Sequence, residues 1–282
     1  MVAVKYLYNQ AKEEFTKAGI DAPAFNSLCL VEKVFGVNRA QLLTENPTAD
    51  DSKGAQFITL VGRRLTGEPL QYILGEWEFY GYKLKVGRGV LIPRDDTEVL
   101  LRYCLSYLKG KNNRKVLDLC SGSGALAIAI AKETDSDVIA VEKSADALPY
   151  LMENISLNKA NVSVVADDIF ECASEFPDQY FDLILSNPPY IISDEIDTLQ
   201  KEVGFEPKMA LDGGEDGYKF YRYIIKEWKT KLKPGGRMAF ELGEGQLDTV
   251  KTLMEAEGFT EIGYDDDLGG IHRAVYGTLT RN

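Results

Sequence analysis

The sequence predicts a doubly wound α/β domain preceded by a smaller helical segment, and three observations lead to this fold class. From residue 115 onward, apolar runs of strand length alternate with helical patterns, which is typical of a mostly parallel sheet covered by helices. Residues 1–66 place apolar side chains at helical spacing. A glycine-rich turn follows the first strand of the alternating part, where open α/β sheets bind ligands.

Three helices are predicted in the first part of the chain. The first spans residues 5–18 and the third spans residues 52–65, each with an apolar face. Between them, Asp21 can cap a second helix that has Pro23 in its first turn. We therefore predict an N-terminal helical bundle over residues 1–68.

The apolar pattern changes after this bundle. Aromatic and aliphatic side chains in residues 70–92 are interleaved with four glycines, which predicts a β-hairpin linker over residues 69–92. Pro93 begins the α/β domain, residues 93–282, in which the late strands can pair antiparallel. Pro149 argues against helix in the turn that precedes it. The predicted strands are 115–119, 137–141, 162–166, 181–186, 237–242, 260–266 and 273–280, and the predicted helices are 124–133, 144–158, 216–232 and 246–257.

Charge and composition disfavour several classes of function. The 282 residues carry a net charge of −12, and residues 91–282 hold 21 basic and 34 acidic side chains. Such an acidic domain is a poor partner for a phosphate backbone, so we expect no nucleic acid; it suits a basic protein, or it serves solubility alone. His272 is the single histidine, which disfavours a metal site built from histidines and a Ser-His-Asp triad. We therefore expect no metal.

Cysteine usage and hydropathy indicate a cytoplasmic protein without a membrane partner. The cysteines form no C-x-x-C pair and suit a reducing compartment. No apolar stretch is long enough to span a bilayer, and residues 1–10 have the features of neither a secretory nor an organellar leader. The cysteines are Cys29, Cys104, Cys120 and Cys172.

The turn after the first strand of the α/β domain indicates a nucleotide-like cofactor. Its glycines allow a ligand to approach the backbone, and free N–H groups at the next helix favour an anionic group. Glu142 ends the second strand, 24 residues after Asp118, where an acid can hold ribose hydroxyls. The absence of G-x-G-x-x-G and of G-K-[ST] disfavours NAD and a P-loop. A tight turn without a ligand is the alternative. The turn comprises Asp118, Leu119, Cys120, Ser121, Gly122, Ser123 and Gly124.

The third strand is followed by a second candidate contact for such a cofactor. Asp168 and Ile169 begin two residues after its predicted end at residue 166. A carboxylate and an apolar side chain at that position can contact the edge and the face of an adenine ring. The alternative is a solvated acidic turn.

The fourth strand, residues 181–186, is followed by Asn187-Pro188-Pro189-Tyr190. The two prolines have no backbone N–H, so they end the strand and leave a stiff loop of outward carbonyls. The side-chain oxygen of Asn187 and the carbonyl of Pro188 can each accept one N–H of a planar –NH₂ group, and Tyr190 can stack on it. The alternative is a strand that ends in a proline-rich turn.

These motifs together resemble a known family. Asp118 to Gly124, Glu142 and Asp168-Ile169 resemble the S-adenosylmethionine site of class I methyltransferases, and the Asn-Pro-Pro-Tyr loop resembles the motif of amino-methyltransferases. The chain as a whole resembles the peptide chain release factor glutamine methyltransferases (the PrmC/HemK family) over about residues 67–276. The stretches that carry this closer resemblance are 67–75 with Phe79, 91–98, 206–217 and 267–273.

The resemblance implies a Rossmann-like class I methyltransferase domain with a seven-stranded, mostly parallel sheet. The expected reaction transfers a methyl group from S-adenosyl-L-methionine to the side-chain amide nitrogen of the glutamine in the Gly-Gly-Gln motif of release factors, and leaves S-adenosyl-L-homocysteine. The N-terminal helices are expected to recognise the release factor, and the enzyme to act as a monomer. The expected catalytic residues are Asn187, Pro188, Pro189 and Tyr190; these four and Arg94 would bind the substrate. Those expected to bind the cofactor are Asp118, Cys120, Ser121, Gly122, Ser123, Gly124, Glu142, Asp168, Ile169 and Asn187.

The chain departs from the family pattern at three positions. Cys120 stands where the family has glycine, so its Cβ either avoids positive φ or is strained. Asp95 replaces a proline, and Glu142 replaces the usual aspartate with a longer side chain. Two other substrates remain as alternatives, namely a glutamine of a ribosomal protein and, less favoured by the acidic charge, an adenine of nucleic acid.

Overall fold

A computed structural model describes residues 1–45 and 47–280. The chain divides into two compact units, one formed by Met1–Glu76 with Lys201–Phe205 and the other by Trp77–Gln200 with Glu206–Asn282. The division after Glu76 falls within the predicted linker, residues 69–92, and residues 281–282 of the predicted domain 93–282 lie outside the described part of the chain.

The first unit is helical, as its apolar spacing predicts. One face of its first helix buries Val4, Leu7, Ala11 and Phe15, which pack with the other helices in a core of their own. A short antiparallel pair joins β1 (Val2–Ala3) and β2 (Thr48–Ala49). The helices are α1 (Val4–Lys17), α2 (Pro23–Phe35), α3 (Arg39–Thr44), α4 (Asp51–Leu65) and α5 (Leu70–Leu74).

The prediction that Asp21 caps α2 was wrong. Ala22 occupies the cap position at φ 46°, and no side chain there accepts a helix N–H. The main-chain carbonyl of Asp21 instead accepts the side-chain amide of Asn26 at 3.0 Å. Pro23 supplies the start of α2, because its missing N–H costs nothing in a first helical turn.

The hairpin is shorter than predicted. Residues 70–74 form α5, which ends at Gly75 with φ 73°, because Leu70 and Ile73 are buried in the core of the first unit. The hairpin itself consists of β3 (Glu76–Phe79) and β4 (Tyr82–Lys85). The helix α6 (Thr97–Leu108) follows it and was not predicted.

The second unit contains the predicted seven-stranded sheet. Its order is β10-β11-β9-β8-β5-β6-β7, and β11 runs antiparallel to both of its neighbours while the other pairs that join β9, β8, β5, β6 and β7 are parallel. The doubly wound fold and its late antiparallel strand are thus confirmed. The strands are β5 (Arg114–Leu119), β6 (Ser136–Val141), β7 (Val162–Val165), β8 (Phe181–Ser186), β9 (Leu232–Glu241), β10 (Phe259–Asp266) and β11 (His272–Leu279).

Helices cover the sheet in two apolar layers. One layer packs α6, α7 (Ala125–Glu133) and α8 (Leu148–Asn158). The other packs α9 (Lys219–Glu227) and α10 (Leu247–Ala256). The predicted start of α8 at residue 144 was wrong, since the helix begins at Leu148 and so holds Pro149 in its first turn. The layers leave the carboxyl ends of β5, β6 and β8 at one edge of the sheet, where the predicted site lies.

Candidate active site

A cavity opens at the carboxyl ends of the central strands. Open parallel sheets form such a crevice where the strand order reverses, because the connections on the two sides of that point leave in opposite directions. In this sheet the reversal lies at β5, which has β6 on one side and β8 on the other. The structure brings most of the predicted site residues together in its wall. Those that line it are Arg94, Asp118, Cys120, Ser121, Gly122, Ser123, Glu142, Asp168, Ile169, Asn187 and Pro189.

The turn after β5 is bent by three residues with positive φ. Gly122 and Gly124 adopt φ 54° and 83°, and Cys120 adopts φ 61°, so its Cβ is in the conformation that glycine tolerates best. A Cβ on Gly124 would lie 2.5 Å from the side chain of Leu151. Gly124 caps α7 and is absent from the cavity wall, so the structure gives it a packing role, and its predicted contact with a cofactor stays a prediction.

Glu142 connects the turn to the second strand. One oxygen of its carboxylate accepts the backbone N–H of Gly122 at 2.7 Å, and the other accepts that of Ser144 at 2.7 Å. These are charge-assisted bonds, and they hold the glycine turn against the end of β6. The carboxylate still faces the cavity, where its remaining lone pairs can accept hydroxyl groups.

Asp118 is a buried carboxylate without a partner. It is 1% exposed, and neither of its side-chain oxygens has a hydrogen bond among the described residues. Burial raises the pKa of Asp118 to about 7. A cationic group that entered the cavity would compensate this charge. The arrangement therefore fits a ligand with an ammonium group.

The far end of the cavity suits a flat aromatic ring. Asp168 accepts the ammonium of Lys143 at 2.5 Å and the backbone N–H of Phe170 at 3.0 Å. Although burial opposes it, the bond from Lys143 holds the pKa of Asp168 below its usual range. Phe170 and Phe220 meet edge to face at 5.2 Å, and both line the wall beside Ile169. The sequence reasoning missed the two phenylalanines.

The loop after β8 presents Asn187 to the cavity. The side-chain Nδ2 of Asn187 donates to the hydroxyl of Thr97 at 3.3 Å, so its Oδ1 is left as an acceptor. Pro189 also lines the wall, whereas Pro188 does not. Thr97, at the start of α6, was missed because nothing in its local sequence marks it as a partner of Asn187.

Tyr190 packs against neighbouring side chains of the second unit. It lies outside the cavity wall, its hydroxyl is 3.5 Å from the carboxylate of Glu241, and its carbonyl accepts Nε2 of Gln246 at 3.1 Å. A Cβ on Gly243 would lie 2.9 Å from its ring. In this arrangement Tyr190 anchors the loop, and its predicted stacking on a substrate amide stays a prediction.

Arg94 has a partner within the protein, and its predicted contact with the substrate stays a prediction. It lines the cavity, but its guanidinium forms an ion pair with the buried carboxylate of Glu206. The other oxygen of Glu206 accepts the backbone N–H of Ile92 at 3.0 Å. These contacts tie down the segment that follows Glu206, of which Pro207, Met209 and Ala210 line the cavity.

The described residues, 1–45 and 47–280, offer neither a metal site nor a membrane span. Within these ranges, no group of three or more His, Cys, Asp or Glu side chains could hold a metal ion. No helix in the same ranges is sufficiently long and apolar to cross a membrane.

Two parts of the chain match models of known protein families. Residues 7–75 match the family model of the PrmC N-terminal domain, and residues 95–203 match that of the methyltransferase small domain. The release factor glutamine methyltransferase of Thermodesulfovibrio yellowstonii is 41% identical over 86% of this chain and 88% of its own length. That of Geobacter sulfurreducens is 42% identical over 93% of this chain and 91% of its own length.

Solved structures support the fold. A methyltransferase from Pyrococcus furiosus superposes with a TM-score of 0.55 at 18% identity, covering 81% of this chain and 99% of its own. A 16S rRNA methyltransferase from T. thermophilus, solved with AdoMet and guanosine, gives 0.53 at 19% identity and covers 73% of this chain and 50% of its own. At these identities the similarity concerns the methyltransferase fold alone.

Proposed function

The chain belongs to the release factor glutamine methyltransferase family, and from that premise we propose that it methylates the glutamine of the Gly-Gly-Gln motif in peptide chain release factors. The reaction is an S-adenosylmethionine-dependent transfer to the side-chain amide nitrogen. The observation that carries the proposal is the orientation of Asn187. Because its Nδ2 is bonded to Thr97, its Oδ1 is free to accept an N–H of a planar amide.

The residues around the glycine turn fit S-adenosylmethionine. Asp118, buried without a partner, would pair with the ammonium of its amino acid part. Glu142 would hold the ribose hydroxyls, and Asp168 with Ile169 would contact the adenine between the aromatic side chains. When bound, this cofactor supplies a methyl group from a positively charged sulfur and leaves as S-adenosylhomocysteine.

The acceptor nitrogen needs precise orientation because it is a weak nucleophile. Its lone pair is delocalised into the amide carbonyl, and the reacting atoms must approach to about 3–3.5 Å. The Oδ1 of Asn187 and the carbonyl of Pro188 would accept its two N–H groups. Both oxygens would also stabilise the positive charge that grows on nitrogen as the new N–C bond forms. The surplus proton then leaves to water, so the site needs no strong base.

A radiolabel experiment tests the substrate. Labelled S-adenosylmethionine is incubated with the enzyme and, separately, with a release factor, a ribosomal protein and DNA. We expect label on the glutamine of the Gly-Gly-Gln tripeptide of the release factor. Label on a ribosomal glutamine or on adenine would overturn the proposed substrate.

A substitution tests the role of the loop. Asn187→Ala should abolish methyl transfer while calorimetry still detects binding of S-adenosylhomocysteine. Asn187→Asp serves as a matched control, since it keeps the acceptor oxygen but has no Nδ2 to bond Thr97. Loss of cofactor binding together with activity in Asn187→Ala would contradict the assigned role.

We assign recognition of the release factor to the first unit. This unit carries the match to the PrmC N-terminal domain, and it exposes the apolar side chains of Leu43 and Ile58, each 62% accessible. Ile58→Ser should raise KM for an intact release factor and leave KM for a short Gly-Gly-Gln peptide unchanged. Met152→Ser, at a side chain of equal exposure in the second unit, is the control. Equal KM values for the intact factor with both variants would refute the assignment.

The location, the oligomeric state and the absence of a nucleic acid partner are further parts of the proposal. We infer that the enzyme acts in the cytoplasm as a monomer and without nucleic acid. The net charge of −12 supports the last point, because phosphate backbones require basic surfaces. Light scattering of the purified protein tests the monomeric state.

A further inference from the structure

Three glycines surround Tyr190, the last residue of the loop that presents Asn187. A Cβ on Gly213 would lie 2.7 Å from Cα and from the carbonyl carbon of Tyr190, and one on Gly217 would lie 2.6 Å from its carbonyl oxygen. A Cβ on Gly243 would lie 2.9 Å from its ring. Because Gly213 and Gly217 face backbone atoms, which cannot move aside as a side chain can, glycine is needed for this close approach. We call these three glycines and Gln246 the Tyr190 seat.

Gln246, which is buried, supplies the hydrogen bond between the seat and Tyr190. Its Oε1 accepts the backbone N–H of Gly243 at 3.0 Å, and its Nε2 donates to the main-chain carbonyl of Tyr190 at 3.1 Å. A backbone N–H can only donate and a carbonyl can only accept, so these two bonds fix the orientation of the Gln246 amide. The hydroxyl of Tyr221 shares its proton between Oε1 of Gln246, at 3.1 Å, and the main-chain carbonyl of Glu241, at 2.8 Å.

The seat also gives a role to a stretch that the proposed reaction does not use. Gly213 and Gly217 belong to residues 206–217, one of the stretches that carry the family resemblance. Two backbone bonds hold this stretch against the residue that follows the loop. The N–H of Ile191 donates to the carbonyl of Leu211 at 2.9 Å, and the N–H of Gly213 donates to the carbonyl of Ile191 at 2.8 Å. The stretch is therefore fastened to the end of the loop by its backbone.

The position of Asn187 depends on both ends of the loop. Its own bond to the hydroxyl of Thr97 is 3.3 Å long, beyond the usual range for N–H···O, and holds it weakly. The two prolines between Asn187 and Tyr190 have a fixed φ, so few bonds can rotate between the ends of the loop. A shift of the Tyr190 carbonyl is therefore transmitted to Asn187.

We propose that the Tyr190 seat positions the side-chain amide of Asn187 for the transfer step, with Gln246 as the principal positioning residue. This inference rests on the proposed function, because it concerns the same loop and the same glutamine amide. None of the four seat residues lines the cavity. The seat therefore acts on the substrate only through the loop.

The first test removes the hydrogen bond to Tyr190 in the full enzyme, assayed with an intact release factor. Gln246→Met keeps the length of the side chain but cannot donate, and we expect kcat to fall about tenfold, the effect of one oriented hydrogen bond. KM for the release factor and Kd for S-adenosylhomocysteine should be unchanged. A change in KM or Kd without a change in kcat would overturn the proposal.

Tyr221→Phe is the control for Gln246→Met. It removes one hydrogen bond to Oε1 of Gln246 and leaves the bonds from Gly243 and to Tyr190 in place. We expect this variant to lose stability and to keep the native kcat. Equal losses of kcat in the two variants would show that the network only packs the core, and would overturn the proposal.

A pair of glycine substitutions gives an independent test. Gly217 and Gly214 have φ 78° and 90°, so alanine strains the backbone at either position. The new Cβ meets the carbonyl oxygen of Tyr190 at position 217, whereas at position 214 it meets only the side chain of Lys219, at 3.0 Å. We expect similar losses in Tm, and a kcat roughly ten- to a hundredfold lower in Gly217→Ala than in Gly214→Ala.

Binding of S-adenosylhomocysteine shows that each glycine variant is folded, and the native enzyme is assayed beside them. Equal kcat in Gly217→Ala and Gly214→Ala would overturn the role of the seat. If Gly217→Ala does not fold, the comparison of Gln246→Met with Tyr221→Phe decides. Failure of the native enzyme to label the glutamine of the Gly-Gly-Gln tripeptide would instead overturn the proposed function.

Discussion

The carboxylate of Glu142 accepts the backbone N–H of Gly122 at 2.7 Å, and this bond joins the two halves of the cofactor site that were predicted separately. Gly122 belongs to the turn after β5, and Glu142 lies at the end of β6. The second oxygen of the carboxylate accepts the N–H of Ser144 at 2.7 Å. The acid therefore shapes the turn in addition to offering oxygens to a ligand.

Glu142→Gln should weaken cofactor binding by about 10–100-fold. A glutamine amide offers one oxygen, so one of the N–H groups of Gly122 and Ser144 would face an –NH₂ group. Titration calorimetry with S-adenosylhomocysteine measures the effect. Glu171→Gln, which neutralises an exposed carboxylate nearby that is absent from the cavity wall, is the control and should bind as the native protein does. Native affinity in Glu142→Gln would contradict the assigned role.

Asp118→Asn should stabilise the free enzyme at pH 8 and weaken its binding of the cofactor. Burial raises the pKa of Asp118 from 3.8 to about 7 in the folded state, so the folded protein binds more protons than the unfolded chain between these values. Its contribution to stability is present at low pH and is lost as pH rises through about 7. The asparagine variant cannot ionise, so its stability should fall less between pH 5 and pH 8.

Thermal unfolding of the free enzyme checks the first effect. We expect Asp118→Asn to gain roughly 2–4 °C in Tm relative to native protein at pH 8, for a difference of about 1 kcal/mol. Its affinity for S-adenosylmethionine should fall, because the ammonium loses its carboxylate. Glu153→Gln, on the exposed face of α8, controls for charge and should change neither quantity. A cofactor affinity equal to the native value would exclude Asp118 from the ammonium site.

Arg94 and Glu206 should act as one unit. Their ion pair holds the segment after Glu206, of which Pro207, Met209 and Ala210 line the cavity. Arg94→Gln and Glu206→Gln should therefore each raise KM for the release factor by a similar factor. The double variant should be no worse than either single variant, since residues of one network are not additive. A much larger loss in Arg94→Gln than in Glu206→Gln would instead indicate that Arg94 binds the substrate directly.

The strands could be predicted because buried parallel strands leave unbroken apolar runs. Six of the seven strands of the large sheet, for example β8, begin and end within one residue of the predicted bounds. The exception, β9, begins five residues early. On the neighbouring strand β8, Phe181 pairs with Leu232 of β9, and Leu183 pairs with Arg237. The extra residues of β9 between these pairs form a bulge, which contains a Pro-Gly-Gly sequence that is typical of a turn.

The sequence predicted those site residues that lie in short motifs at the ends of strands. Asp118 is the penultimate residue of β5, Glu142 and Asn187 follow the ends of β6 and β8, and the topology brings those ends to one edge of the sheet. Thr97 meets Asn187 because α6 begins beside the loop after β8, which no local pattern indicates. An aromatic residue after two prolines can face a cavity or a core, and packing beside Glu241 decides the orientation of Tyr190.

Cys120→Gly should stabilise the protein, which is unusual for a substitution by glycine. At φ 61° the Cβ of Cys120 is crowded by its own backbone, at a cost of about 1–2 kcal/mol. Glycine removes this strain. It also makes the unfolded chain more flexible, which lowers the free energy of unfolding by about 0.5–1 kcal/mol. The net gain should be about 0.5–1 kcal/mol, measured by urea unfolding.

The control for Cys120 is Cys120→Ala, which removes the thiol but keeps the Cβ at the same φ. Alanine should therefore fail to stabilise the protein, so that the difference between the two variants isolates the backbone strain from the loss of sulfur. Because Cys120 lines the cavity beside Gly122, a relaxed turn should also bind S-adenosylhomocysteine at least as tightly as the native turn. Equal stability of the glycine and alanine variants would show that the turn accommodates the Cβ without strain, and that glycine at this position serves close approach of the cofactor alone.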